Sequence, residues 1–476
     1  MTAPLWTLAD LVAATAGRVV GSPGAAITGI SIDSRTIGDG EAFFAIVGDA
    51  RDGHDFVEVA LQRGASLCVV SEAKLGALPA DGRFVVVDDV FEALRRLARA
   101  ARARTSARIV AVTGSVGKTS TKEALRHVLA AQGKTHASVA SYNNHWGVPL
   151  TLARMPADCA YGIFEIGMNH AGEITPLTAM VRPHVAVVTT VAPVHLEFFR
   201  DVEAIAEAKA EIFSGLEPEG AAVVDGDVPQ AGILVDAARA EGARVVRFGI
   251  GEGFEAHLER ASLQADNSTV MATVLGEAIT YKIGAPGMHV VKNSLAVLAS
   301  AALAGADLAL AGLALGDMAP PKGRGERHTL HLGHGEAVLI DESYNANPAS
   351  MRAAIDLLAH TPVGLEGRRI AVLGDMLELG TQGEALHAGL AEALRAARVD
   401  RVFLAGPLMH ALWRALPTDL QGAWTPTAAE LEPKLVAAIR PGDALMVKGS
   451  NGSRMGPVVE TLKSRFSSTR ALAEDA

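Results

Sequence analysis

Short β-branched runs, each followed by a polar loop and then by a segment of helical period, recur along this 476-residue chain. That is the pattern of strands that reach a parallel neighbour through crossover helices. From Thr7, a capping residue, helical apolar spacing and Gly17 predict a first helix. Strands are predicted at Val19, Ile27 to Ile32, Ala42 to Val47, Leu67 to Val70 and Phe84 to Val87, and a basic-ended helix over Val90 to Arg104. A first boundary falls near Ala107. The central stretch carries apolar strands at Arg108 to Thr113, Tyr161 to Gly167, Val185 to Val191 and Ala221 to Val224. Val245 to Phe248, Ala261 to Val274 and Glu277 to Ile283 suggest an antiparallel patch. Lys322 to Arg327, rich in glycine and basic residues, reads as a linker or hinge, with a second boundary near Pro321. Beyond it, strands at Ala337 to Ile340, Arg369 to Leu373, Arg401 to Leu404 and Ala444 to Val447 alternate with helices at Ala349 to Leu358, Glu384 to Arg398 and Ala428 to Ile439. The expected architecture is α/β in three domains: a small N-terminal α/β domain (1–107), a central P-loop-type ATPase domain with a mostly parallel sheet (108–321), and a C-terminal Rossmann-like doubly wound domain (322–476). Its end, from Ser467, reads as a frayed tail.

The strongest local signal is Thr113-Gly114-Ser115-Val116-Gly117-Lys118-Thr119-Ser120. Glycines let backbone N–H groups turn onto phosphate oxygens, the helix N-terminus adds its positive end, Lys118 supplies a mobile cation and Thr119 a hydroxyl for Mg²⁺. The motif is the short G-x-x-G-K-T, because Val112 stands where the longer P-loop has glycine. Other candidates cluster at strand ends. Glu165 closes an apolar strand beside the phosphate loop, where a metal ligand belongs. His195 follows another strand, equally suited to a structural role or to ligand and acid/base work. Lys209, between Glu207 and Glu211, reads on pattern alone as part of a solvated helix face. Asn143 and Asn144 precede a Gly-Val-Pro turn that feeds a helix. His289 and Asn293 share a helical face. Ser34 and Arg35 form either an Asx-type turn or a phosphate or ribose grip.

Composition narrows the classes. At 49% hydrophobic and 20% charged, with a net charge of −10, the chain is an ordinary globular protein without the basic face of a nucleic-acid or anionic-membrane binder. Cys68 and Cys159 lie in separate apolar runs, as buried free thiols would in a reducing compartment. No basic n-region with an apolar core opens the chain and no membrane-length apolar run occurs, so a cytoplasmic protein is expected.

Taken together, residues 113–123, the Asn143-Asn144-His145-Trp146-Gly147-Val148-Pro149 stretch, His195-Leu196-Glu197, residues 208–213 and the Asp341-to-Pro348 run (D-E-S-Y-N-A-N-P) resemble the Mur ligases of peptidoglycan synthesis. Within that family, Tyr344 to Pro348 and Gly374 to Gly380 are similar to the members that use ATP to join D-alanyl-D-alanine to UDP-N-acetylmuramoyl-tripeptide through an acyl phosphate. The resemblance implies ATP and two Mg²⁺ ions as cofactors, the tripeptide and D-Ala-D-Ala as small-molecule partners, and a monomer. It implies catalytic roles for Lys118, His195 and Lys209, and metal ligation by Thr119, Glu165, His195 and Lys209, the last as a carbamylated lysine. Gly114, Ser115, Val116, Gly117, Lys118, Thr119, Ser120, His289, Asn293, Arg324, Asp341 and Asn345 would bind ATP. Ser34, Arg35, Gly53, His54, Asn143, Asn144, Asn347, Asp375 and Glu378 would serve the other substrates.

Two other readings compete. A sister ligase adding a single amino acid should carry a D-N-P-R-type stretch, which is absent here, and folylpolyglutamate synthases are not expected to carry the D-S-R and D-G-H-D-F loops. A non-catalytic nucleotide switch would bind ATP and form no amide bond.

Overall fold

The computed structural model describes residues 4–467 except Ala140 and His195. Its first sheet has five strands in the order Arg18–Val20, Phe84–Val87, Leu67–Ser71, Ala42–Phe44, Ile30–Ser31. All pair in parallel except Arg18–Val20. The helix Val90–Ala103 starts under an Asp89 cap that accepts the Glu92 N–H and buries Val90, Ala93, Leu94, Leu97, Ala98 and Ala101 along one stripe. That stripe serves two cores, because Leu94 and Leu97 pack under the first sheet while Ala98 packs under the central one. A second helix, Gly147–Ala153, does the same from the other side: Leu150 and Ala153 face the first core, Val148 and Leu152 the central core. Trp6 Nε1 donates to Ala153 O at 2.9 Å, and Arg154 Nε donates to Ile30 O at 2.6 Å.

The central sheet has nine strands, in the order Glu277–Ile283, Ser268–Val274, Ala256–Leu263, Arg244–Gly249, Ala221–Asp225, Val185–Val188, Arg108–Thr113, Tyr161–Glu165, Thr135–Ala137. Apolar clusters cover both faces of its parallel central strands, which is why those strands read as continuous apolar runs, whereas the antiparallel strands at its end alternate. The expected antiparallel patch is smaller than its sequence suggests. Arg244–Gly249 pairs in parallel with Ala221–Asp225, since the helix Ala231–Ala240 between them supplies the crossover. The expected Ala261-to-Val274 run is two strands folded back where Gln264 N–H donates to Asn267 O.

The third sheet has six strands, in the order Glu326–Leu332, Gly335–Glu342, Ala444–Lys448, Arg369–Gly374, Arg401–Ala405, Gln421–Thr425. Only Glu326–Leu332 runs antiparallel. The four buried strands stand where the pattern puts them. The two edge strands do not announce themselves, since polar and apolar positions mix on strands with one open side. Glu326–Leu332 begins inside the stretch read as linker. The expected Glu384-to-Arg398 helix is two, Gly383–Ala388 and Leu390–Ala396, interrupted at Gly389. Among the described residues both cysteines are free and buried, and no helix is long and apolar enough to cross a membrane.

Candidate active site

The strand Arg108–Thr113 ends in the phosphate loop, and the two glycines there are required by space as well as by conformation. Gly114 has φ +146°, and a Cβ on it would meet Thr189 Oγ1 at 1.9 Å; Gly117 has φ +89°, and a Cβ would stand 2.9 Å from Asn293 Nδ2. Ser115 Oγ donates to Ala192 O and accepts from Ala192 N–H, both at 3.0 Å, stapling the loop to the segment beyond Val185–Val188. The helix Lys118–Ala130 opens without a side-chain cap, so its first N–H groups face the loop cavity unclaimed by a cap. Lys118 folds back to donate to Gly114 O at 2.7 Å. Burial pushes its pKa down, against the pull of the Glu165 carboxylate.

Glu165 is 1% exposed at the end of its strand. Thr119 Oγ1 donates to one of its oxygens at 2.9 Å and Asn143 Nδ2 to the other at 2.7 Å. A buried carboxylate is thus held by two neutral donors. Lys209 is not part of a solvated face: it is 2% exposed, and burial together with the nearby Lys118 charge holds its amine well below the ordinary lysine range. Its expected acidic partners are engaged elsewhere. Glu211 accepts from the Gly172, Ile174 and Thr175 N–H groups, and Glu207 lies 3.7 Å from Arg200. His195 lies outside the described residues.

A cavity of about 470 Å³ joins the phosphate loop and Glu165 to the third sheet, and Lys209 is not among its described lining residues. Ser115, Val116, Gly117, Lys118, Thr119, Ser120, Asn143, Glu165, His289 and Asn293 line it from the central sheet, Arg324, Asn345 and Asn347 from the linker and the third sheet. Desolvation pushes the His289 pKa down, which favours the neutral ring. Asp341 borders an adjoining space of about 890 Å³ with Thr119, Arg324 and Tyr344, and its Oδ1 accepts from Ser343 N–H and Oγ at 3.0 and 2.6 Å. Several lining residues escape the sequence reading. Tyr344 OH donates to Ser141 Oγ at 2.6 Å, and the Arg324 guanidinium lies 4.3 Å above the Tyr344 ring. Lys448 donates to Glu342 Oε2 at 3.1 Å and Asn345 O at 3.0 Å; Lys292 bridges Asp225 and Asp227 at 2.6 and 2.9 Å. Asp225 and Lys448 end buried strands as Glu165 does, so the signal that singles out Glu165 also reaches them.

Three family models match the chain: Mur ligase family, catalytic domain over residues 26–102; Mur ligase middle domain over 112–301; and Mur ligase, glutamate ligase domain over 323–451. The UDP-N-acetylmuramoyl-tripeptide--D-alanyl-D-alanine ligase of Escherichia coli (strain K12) is 34% identical, over 91% of this chain and 93% of that protein. The chain belongs to the Mur ligase family. Among solved structures, MurF from Acinetobacter baumannii superposes with a TM-score of 0.84 at 29% identity, covering 96% of this chain and 99% of the other. The MurF ligase of Thermotoga maritima in complex with ADP follows at 0.77 and 25%, covering 92% and 97%.

Of the remaining expected residues of this Mur ligase, Asn347 alone lines the cavity. Ser34 is buried, and Arg35, mostly exposed, pairs with Asp33 at 2.7 Å. His54 uses both ring nitrogens: Nε2 accepts the Ser71 N–H at 3.0 Å, so Nδ1–H donates to Asp52 at 2.6 Å. A Cβ on Gly53 would stand 2.6 Å from Ile46 O. Asn144 Oδ1 accepts from the Trp146 and Gly147 N–H groups at the start of the Gly147–Ala153 helix. Asn347, though in the cavity wall, spends its side chain capping the helix Pro348–Ala359 in a reciprocal capping box. Asp375 is buried, accepts from the Leu408 and Met409 N–H groups, and has its pKa raised by desolvation. Glu378 follows with φ +61°.

Proposed function

We propose that this Mur ligase joins D-alanyl-D-alanine to UDP-N-acetylmuramoyl-tripeptide at the cost of ATP, releasing ADP and phosphate, in peptidoglycan precursor synthesis. The names of its relatives support the substrates, and the ADP complex of the Thermotoga relative supports the nucleotide. The observation that carries the reading is the meeting, in one cavity, of a phosphate loop and a buried carboxylate held by Thr119 and Asn143.

A carboxylate is a poor electrophile, so an oxygen of the tripeptide carboxylate attacks the γ-phosphorus of ATP and expels ADP. The acyl phosphate that results has a good leaving group. The dipeptide amine then attacks the acyl carbon, and the tetrahedral intermediate collapses by expelling phosphate. Lys118 leaves Gly114 O for the β- and γ-oxygens, while the loop N–H groups hold the phosphates in place. The hydroxyl of Thr119 and the carboxylate of Glu165, 2.9 Å apart, form the hard oxygen set that suits Mg²⁺. When bound, that ion neutralises phosphate charge. The depressed amine of Lys209 favours the neutral form that would add to CO₂, forming an N–C bond with loss of a proton to water; the carbamate would offset Lys118 and, with His195, would hold a second Mg²⁺. His289 and Asn293 take the base, and Arg324, Asp341 and Asn345 complete the nucleotide site. Ser34, Arg35, Gly53 and His54 shape the sugar-nucleotide loops of a domain ending at 107; Asn347, Asp375 and Glu378 shape the dipeptide side of a domain beginning at 322.

The test is phosphate release from ATP and Mg²⁺ with the UDP-muramoyl tripeptide, comparing D-Ala-D-Ala with single amino acids. Release that requires the dipeptide, with matching amide product, is expected. Release driven only by a single amino acid moves the protein to a sister ligase, and acceptor-independent release overturns the assignment.

A further inference from the structure

Just after the linker, the first two strands of the third sheet bring three metal-binding side chains together. Glu326 and Asp341 are directly opposed across the Glu326–Leu332 and Gly335–Glu342 pair, and His328, two residues beyond Glu326, shares its face of the strand. One ligand atom from each of Glu326, His328 and Asp341 lies within 4.8 Å of the other two. Like charges directly opposed on a sheet repel, and the neighbouring Lys322 is held at 3.2 Å by Glu460. The side chains of His328 and Glu326 are 17% and 36% exposed and stand 3.5 Å apart as an ion pair when the imidazole is protonated, but the two facing atoms, His328 Nε2 and Glu326 Oε2, are shielded and make no hydrogen bond. Orphaned buried polar atoms are costly. Ligand atoms each about 2.0–2.1 Å from a tetrahedral zinc ion are separated by roughly 3.4 Å, so this spacing, which makes no hydrogen bond here, suits two ligands of one ion.

We propose that Glu326, His328 and Asp341 form a binding site for a transition-metal dication of the zinc class, which borders the proposed nucleotide site through Asp341 but is distinct from the Thr119–Glu165 oxygen set at the phosphate loop. One imidazole and two carboxylates are a borderline-hard donor set that zinc or cobalt occupies more readily than Mg²⁺. The bound ion cancels the opposed carboxylates and pins the root of the third sheet, where Gly325 N–H donates to Asp341 O at 2.8 Å. It acts as a structural clasp next to the linker.

The experiment uses the full-length chain, stripped with chelator and then titrated with Co²⁺ in a large excess of Mg²⁺, followed by the visible absorption of cobalt in a low-symmetry site. A single equivalent is expected, with affinity falling on the order of 100-fold or more in His328→Gln and in Glu326→Gln and unchanged in Glu165→Gln. Zn²⁺ should raise the melting temperature of the unaltered chain and of Glu165→Gln, and leave that of the two site variants where it is. Melting of each metal-free variant shows separately that it is folded, and the two substitutions guard against the failure of one. No cobalt band in the unaltered chain overturns the proposal. So does a band that survives both site substitutions, or one lost with Glu165, which would place the ion at the phosphate loop.

Discussion

The central sheet meets its two neighbours in different ways. Toward the first sheet the contact is a weld: the helices Val90–Ala103 and Gly147–Ala153 each supply side chains to both hydrophobic cores, and Arg102 donates to Val181 O, Arg182 O and Glu217 across the seam. Toward the third sheet there is an open cleft. Among the described residues the two cores of that sheet contain only its own residues, and the space between is a set of cavities lined from both sides and crossed by the Tyr344–Ser141 hydrogen bond. Shared apolar cores fix one body on another, whereas an interface of open cavities allows relative motion at small cost. The first sheet is therefore fixed to the central one, and under the proposed function the third sheet is the part expected to move.

The largest effect lies at the cleft. Lys118→Ala removes the only loop side chain that can follow the transferring charge, and a loss of roughly 10³-fold or more in kcat is expected, with the melting curve little changed. On the weld, Leu150→Ala empties a site that is 1% exposed between the first and central bodies, and chemical denaturation should report about 2–5 kcal/mol of lost stability. The same exchange at an exposed cleft residue should cost far less; equal losses would abolish the contrast. Third, scattering profiles with and without ATP and substrates should differ by a more compact liganded form. Tyr344→Phe, which deletes the crossing hydrogen bond, should raise KM for ATP by about 3–10-fold with a smaller change in kcat.

The weld should also be the acid-sensitive seam. His184 Nδ1 accepts the Ile109 N–H at 2.9 Å, and burial together with Arg108, Arg102 and Arg182 pulls its pKa down to about 4. The native state then binds fewer protons than the unfolded chain between about 6.5 and 4, so this stabilisation is complete above pH 6.5 and is lost as pH falls toward 4. His184→Asn keeps an acceptor without the titration and should flatten that part of the stability profile. An unchanged profile would place the acid sensitivity elsewhere.

What sequence reveals divides along the same line between local and assembled features. The phosphate loop is legible because glycine spacing, strand and helix start all lie within a few residues, and Glu165 because a lone carboxylate in an apolar strand is costly. Lys209 is not legible from pattern: its glutamate neighbours read as a salt-bridged face, and only packing shows that Glu211 turns away to cap the Ile174–Val181 helix and leaves the lysine buried. Asn144, Asn347 and Asp375 illustrate a second limit. Residues that cap helices and clamp turns are chemically the same as residues that bind ligands, and hydrogen bonding within the fold claims their side chains. The edge strands Glu326–Leu332 and Gln421–Thr425 escape because one open side blurs the alternation that buried strands display.

The paired asparagines beside the weld have opposite tolerances to the same small change. Asn144 presents an oxygen to the N–H groups that open a helix, and aspartate does that equally well. Asn143 presents its nitrogen, 2.7 Å from the Glu165 carboxylate; aspartate there would set a second anion against that buried one. Neighbouring positions with identical side chains thus tolerate the same exchange differently. At Asn144 the exchange keeps the oxygen that the helix start uses, whereas at Asn143 it removes the donor that faces Glu165.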